Sequence, residues 1–325
     1  MEERGAYGPD SPWASGPHDA GGLTRKTPVD LPALGPHAED VVATRRLTPL
    51  QALGLTALAV ALSQGLLVGL AGLRMLRGAS WEAAARTVSA DAFSLAACAF
   101  LGFGAAILLG LRRLRPAPIQ SVRELAGRLE LEPRPAPVLA LASVAGLAMQ
   151  LPLAEIGNVV QELFPRGTAE RLAELERLRA EGPLEGLGLA LAFVVVAPLV
   201  EEALFRGVIL PGLAEDQLAR VPHAIVGSAL LFAVMHLRAD AVAYAFVAGL
   251  VLGAVRVWTG SLLPCVALHA ANNAVPLLFP PELLRLEGFN VVRDEVLHVP
   301  AAPLVASLVV AVVALGALAQ LEDAD

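Results

Sequence analysis

Two adjacent carboxylates and an arginine stand inside an apolar stretch, Val200-Glu201-Glu202-Ala203-Leu204-Phe205-Arg206. A charge at the centre of a membrane helix costs roughly 3 kcal/mol on insertion scales, and such residues mark ion paths, proton relays or catalytic cavities. Glu202 and Arg206 are four residues apart and share one helix face, so the guanidinium can hold the carboxylate and fix its rotamer. Glu201 is rotated about 100° away on a helix, lacks that partner and is the candidate general base. Two further pairs repeat the spacing of four, Phe232 with His236 and His269 with Asn273. An imidazole there can share a water with Glu201, bind a metal or hydrogen-bond a carbonyl oxygen. Asn273, with Asn272 as an alternative on nearly the same face, offers a neutral donor suited to an oxyanion. Together the set offers a general base, two imidazoles and an amide donor, on three apolar segments of the C-terminal half.

These groups need apolar helices to hold them. The 325 residues are 56% hydrophobic and 17% charged, with a mean hydropathy of +0.62, well above a soluble domain. About 20 apolar residues cross a bilayer core, and by that ruler eight spans are expected, near 50–73, 92–111, 137–158, 186–209, 222–237, 240–258, 262–279 and 301–320. No stretch alternates as a strand does, and the many Gly and Ala residues suit close helix contact in lipid. The predicted fold is an all-α polytopic transmembrane bundle. The fifth span is short and forms a coupled pair with the sixth around Arg238-Ala239-Asp240. If it enters the membrane near Pro222, His236 lies about 21 Å along it, deeper than Glu201 or His269 would suggest. Gly260-Ser261-Leu262-Leu263-Pro264 reads as a helix start that sets the height of His269, with Ser261 as cap.

Four segments follow: a disordered cytoplasmic tail over 1–46, N-terminal transmembrane helices over 47–184, a catalytic core over 185–280, and a last span with a short tail over 281–325. The first 46 residues are rich in Gly, Pro, Asp and Ala and lack the pattern of a cleaved signal, so the first apolar segment is expected to stay as an anchor. Arginines in the tail and in the link between the second and third spans put both on the cytoplasmic side. The link near 159–185 reads as an amphipathic helix on the outer side. Eight spans then return the C-terminus to the cytoplasm, and the expected location is a bacterial inner membrane. The formal net charge of -7 lies in loops and tails and implies no nucleic-acid partner. Cys98 and Cys265 stand singly in apolar segments and read as buried thiols.

Glu201-Glu202-x-x-x-Arg206, Phe232-x-x-x-His236 and His269-x-x-x-Asn273, in that order on hydrophobic helices, resemble the motifs of the CAAX-processing and bacteriocin-processing (CPBP or Abi) intramembrane endopeptidases. Ser261-Leu-Leu-Pro-Cys-Val-Ala-Leu-His269 is similar to the family's stretch before its second histidine, and the resemblance covers about 185–280. It implies a protease acting on a membrane-associated peptide or protein, which in the eukaryotic and archaeal branch is prenylated. Carried over by motif, Glu201 and His236 activate water while His269 and Asn273 steady the oxyanion. The resemblance leaves open a metal-dependent mechanism, with Glu201, His236 and His269 as zinc ligands, and a metal-free glutamate mechanism. The absence of a helical His-Glu-x-x-His pair favours the metal-free form. The competing reading is a non-enzymatic transporter or scaffold that uses the charged cluster as a polar relay. A serine protease built on Ser228 or Ser261 lacks a nucleophile elbow and leaves the double glutamate unexplained.

Overall fold

The computed structural model describes residues 45–214 and 217–323. The tail expected over 1–46 lies, up to residue 44, outside them.

Thr48 and Gln51 exchange side-chain and backbone hydrogen bonds in a capping box that starts α1, Pro49–Met75. A short helix α2, Trp81–Ala90, leads to α3, Ala92–Leu114, which packs back along α1. The one-turn-plus α4, Val122–Arg128, precedes α5, Ala136–Leu163. The amphipathic link is helical over α6, Thr168–Arg177, as its leucine spacing predicts. The span that carries the acidic pair is a continuous helix α7, Pro183–Ala214, longer at both ends than the expected 186–209. Two π-helical stretches, Ala190–Val196 and Phe205–Ile209, interrupt it and bracket Glu201 and Glu202. The last helices are α8, Val221–Val234, α9, Ala239–Thr259, α10, Leu262–Leu278, and α11, Ala301–Asp323.

Among the described residues there is no strand, only a lone bridge between Glu287 and Val291. Among the described residues six helices, α1, α3, α5, α7, α9 and α11, are long and apolar enough to span a bilayer, and α8 and α10 are shorter apolar helices beside them. The eight expected spans are thus present as six long and two short ones. At 14 residues α8 is about 21 Å long and α10, at 17, about 26 Å, both less than a full hydrocarbon core.

Burial follows the bilayer. Glu202, Arg206 and Arg256 are almost fully enclosed, while Leu308, Val309, Val312 and Val313 of α11 are exposed. Polar groups inside and leucines outside are the arrangement lipid rewards, because hydrocarbon cannot satisfy a charge and solvates an aliphatic side chain freely. Packing α5 against α10 needs a glycine: a Cβ on Gly146 would sit 2.1 Å from the carbonyl oxygen of Leu268. The same Gly146 offers its own carbonyl to Asn272 Nδ2 at 3.1 Å, which pins α10 against α5 one turn from His269.

Candidate active site

Between its two π-helical stretches α7 is regular over Ala197–Leu204, and this segment presents Glu201 and Glu202 on neighbouring faces. Arg206 follows one turn later. Its Nη1 donates to Glu202 Oε1 at 3.1 Å, and both side chains are fully buried. Nη2 donates to the carbonyl of Gly249 on α9 at 3.0 Å, and the guanidinium lies 4.7 Å from the centre of the Phe232 ring on α8. Three helices therefore converge on one arginine.

His269 reaches the same carboxylate from α10. Its Nδ1 is 2.8 Å from Glu202 Oε1, and its Nε2 is 3.9 Å from Glu201 Oε2. A carboxylate paired with a guanidinium accepts, so Nδ1 is the donor to Glu202. The ring is thereby locked with its other nitrogen turned toward Glu201. Glu202 and Arg206 together orient His269, a link that spacing within α7 does not reveal because it depends on which face of a distant helix comes alongside.

His236 lies beyond the end of α8, in the turn where Leu237 takes a φ of 63° and Arg238 caps α9. α8 starts at Val221, as the sequence suggests, and stops at Val234, so His236 still lies about 21 Å from its start but closes a hairpin instead of extending a helix. Its Nδ1 donates to the Phe232 carbonyl at 2.9 Å, and its ring is edge-on to that of Phe232, 5.1 Å between centres. Phe232 also meets His269 edge-on at 5.8 Å and Phe205 at 5.3 Å. This phenylalanine is the common wall of both imidazoles and the arginine. The turn is braced from outside, with Arg166 bonded to Asp240 at 3.0 Å and to Glu174 at 2.9 Å, and Arg238 to Glu174 at 2.6 Å.

Asn273 sits one turn past His269 and donates through Nδ2 to the carbonyl of Phe193 at 3.0 Å. Phe193 belongs to the first π-helical stretch of α7, and Ser228 does the same for the second, donating to the Phe205 carbonyl at 2.8 Å. Widened π turns shift carbonyls out of the regular helical pattern, and neighbouring side chains take them up. Ser228 is therefore a helix-to-helix bond and Ser261 the N-cap of α10, accepting from the Leu263 N–H at 3.3 Å. Neither hydroxyl is set up as a nucleophile beside a histidine.

Gly249 was not singled out from sequence, although Gly249-x-x-x-Gly253 is a spacing that brings membrane helices close. A Cβ at Gly249 would come within 2.9 Å of Ala229, and the close approach delivers the carbonyl that Arg206 uses.

Zinc needs three protein ligands with an open fourth position. Among the described residues no three His, Cys, Asp or Glu side chains come together in that way, so Glu201, His236 and His269 do not form such a site as arranged. Glu202 is engaged by Arg206 and His269.

Residues 183–275 match the family model described as Rce1-like, type II CAAX prenyl endopeptidase. No curated protein and no solved structure matches the chain. The matched stretch begins with α7 and ends in α10, and it encloses Glu201, Glu202, Arg206, Phe232, His236, His269 and Asn273. Over residues 183–275 this chain is thus similar to the Rce1-like CAAX prenyl endopeptidases, and the matched stretch lies within a polytopic helical membrane bundle.

Proposed function

We propose that this chain hydrolyses a peptide bond in a membrane-associated, prenylated protein or peptide, using water activated by Glu201 with no metal. The observation that carries the reading is the row Glu201, His269, Glu202, Arg206, in which one imidazole lies between two carboxylates and the second carboxylate is clamped by a buried guanidinium. Glu201, 16% exposed at its side chain, is the more accessible of the two carboxylates, because Glu202 is fully enclosed. Glu201 takes a proton from water as the oxygen attacks the scissile carbonyl, and His236 orients that water through Nε2, its Nδ1 being engaged by Phe232.

Negative charge then develops on the carbonyl oxygen. His269 donates to it from Nε2 and Asn273 from the N–H that Phe193 does not take. Since Nδ1 of His269 already donates to Glu202, donation from Nε2 uses the imidazolium form. Two carboxylates, one guanidinium and one imidazolium sum to zero, a favourable balance for groups away from water. The proton held by Glu201 passes to the leaving amine as the carbon–nitrogen bond breaks, which restores the carboxylate.

The proposed setting is a bacterial inner membrane with both termini in the cytoplasm, supported by the arginines between α3 and α5. The test is cleavage of a quenched peptide ending in a prenylated CAAX sequence by the purified protein in liposomes. Glu201→Gln should lower the rate by about 10²–10⁴-fold with an unchanged melting temperature. A strong chelator should leave the wild-type rate as it was. Undiminished cleavage by Glu201→Gln, or chelator inhibition reversed by zinc, overturns the mechanism.

A further inference from the structure

The turn that carries His236 has little apolar packing of its own. Met235 packs on the core at the α8 side, but Leu237 is 81% exposed. The backbone bonds run within the turn, from the Leu237 N–H to the Val234 carbonyl at 3.2 Å and from the Arg238 N–H to the His236 carbonyl at 2.8 Å. A loop tip with so few buried contacts moves on the nanosecond-to-microsecond scale unless something outside holds it.

A charge cluster centred on the link between α5 and α6 does the holding. Arg166 has a side chain only 12% exposed and donates to three carboxylates, through Nε to Glu170 at 3.0 Å and through Nη1 to Glu174 at 2.9 Å and Asp240 at 3.0 Å. Asp240, four residues past His236 in the first turn of α9, has a side chain only 6% exposed. Arg238 closes the cluster, with Nη1 at 2.6 Å from Glu174 and Nε at 3.5 Å from Asp240. A single exposed ion pair contributes little, but a rigid guanidinium fork shared among three acceptors and largely out of solvent fixes direction as well as distance. The helix α6 buries none of its residues and is tied on its other side as well. The Thr168 hydroxyl donates to Asp294 at 3.0 Å, and Arg171 donates to the carbonyls of Arg293 and Asp294. The link is therefore an anchored point of reference for the turn.

We propose that Arg166 is a positioning residue for cleavage: through Asp240 and Glu174 it sets the height and heading of the turn, and with them the place where His236 Nε2 meets the attacking water. The proposal rests on the reading given above, in which Nε2 orients that water while Nδ1 is engaged by Phe232. Arg166 acts only through the turn. A displacement of about 1 Å at a group that orients a reactant can cost up to about 10²-fold in rate, so a brace this far from the chemistry still governs it. Arg166 and Glu174 both lie outside residues 183–275. The matched stretch supplies the histidine, and an earlier part of the chain supplies its brace. Arg166 and Asp240 are 74 residues apart, and no spacing rule pairs them.

Two substitutions in the full chain test this. Arg166→Gln removes the fork, and Asp240→Asn removes only its last contact, leaving Arg166 with Glu170 and Glu174. The control is Arg179→Gln, which breaks a pair with Glu282 that does not involve the turn. In liposomes each brace variant should lower kcat about 10-fold and leave KM unchanged. Neither should slow single-turnover cleavage further in a His236→Ala background, because the group being positioned is gone. A spin label on Leu237→Cys needs no proteolysis and is selective because Cys98 and Cys265 are buried. Its mobility should rise in both brace variants and stay as it was in Arg179→Gln. Unchanged label mobility in either brace variant, a raised KM at constant kcat, an equal fractional loss of rate in the His236→Ala background, or the same loss in Arg179→Gln overturns the proposal. Wild-type protein that does not cleave overturns the proposed function instead, and the label then decides whether Arg166 holds the turn.

Discussion

Arg206 is the residue on which the site's geometry turns, because it touches α7 through Glu202, α9 through the Gly249 carbonyl and α8 through the Phe232 ring. Removing one member of a fully buried ion pair leaves the other charge uncompensated and costs about 3–5 kcal/mol, whereas removing both costs less than the sum. Arg206→Met should therefore unfold the protein far more readily than Arg206→Met/Glu202→Gln, as read from denaturant melts in detergent. If the double variant is as unstable as the two single losses added together, the pair is not coupled. The i,i+4 spacing made this pair legible in the sequence, as it did the pairing of Phe232 with His236. It did not disclose that His269 binds Glu202, nor that Asn273 spends one N–H on Phe193, because both contacts cross between helices. Spacing within one helix says which side chains share a face and nothing about the neighbour that face will meet.

At the scale of elements, hydropathy located the helices well: the expected span at 240–258 is observed as Ala239–Thr259, and that at 262–279 as Leu262–Leu278. At α7 the expected span is present, but it carries two π-helical stretches that hydropathy does not mark. Nothing in a run such as Ala190-Leu-Ala-Phe-Val-Val-Val196 marks a widened turn, since the cause lies in the partners that receive the displaced carbonyls. Ser228 is one of those partners, buried and bonded to Phe205. Ser228→Ala leaves that carbonyl without its bond and should cost about 1–3 kcal/mol. A structural serine predicts equal fractional losses of stability and no change in the pH profile of cleavage. A loss of activity without loss of stability would instead give the hydroxyl a chemical role. Gly249→Val tests the neighbouring contact, because added methyls must push α9 from Ala229 and carry the Gly249 carbonyl away from Arg206. The expected result is a lower melting temperature together with a slower kcat, and an unchanged kcat would show that Arg206 does not need that carbonyl.

Across the whole molecule, polar ties gather at the two ends of the bundle and leave the middle to apolar packing and the site. At one end Glu130 accepts at its carbonyl from the Leu262 N–H and the Ser261 hydroxyl, and its carboxylate pairs with Arg256, fixing where α10 starts. At the other end the irregular segment between α10 and α11 is fastened to α5. Asn158 Nδ2 donates to the Gly288 carbonyl at 2.7 Å, His298 lies 2.7 Å from Glu155 through Nδ1 and 3.2 Å from Glu162 through Nε2, and the Val299 N–H donates to Glu155 at 2.8 Å. The two carboxylates push the His298 imidazole above its ordinary value. A group whose folded pKa is raised contributes stability that is complete below its unfolded value of about 6.5 and disappears as pH rises through the folded value. Melting temperature should therefore fall from about pH 6 to pH 9 more steeply in the wild-type protein than in His298→Gln, which retains a donor without the titrating charge. His298 is 41% exposed at its side chain, so added salt should flatten the difference. Parallel melting curves for the two proteins across that range would show that the clamp on α5 rests on the Asn158 and Val299 bonds alone, and that His298 is a bystander at the rim.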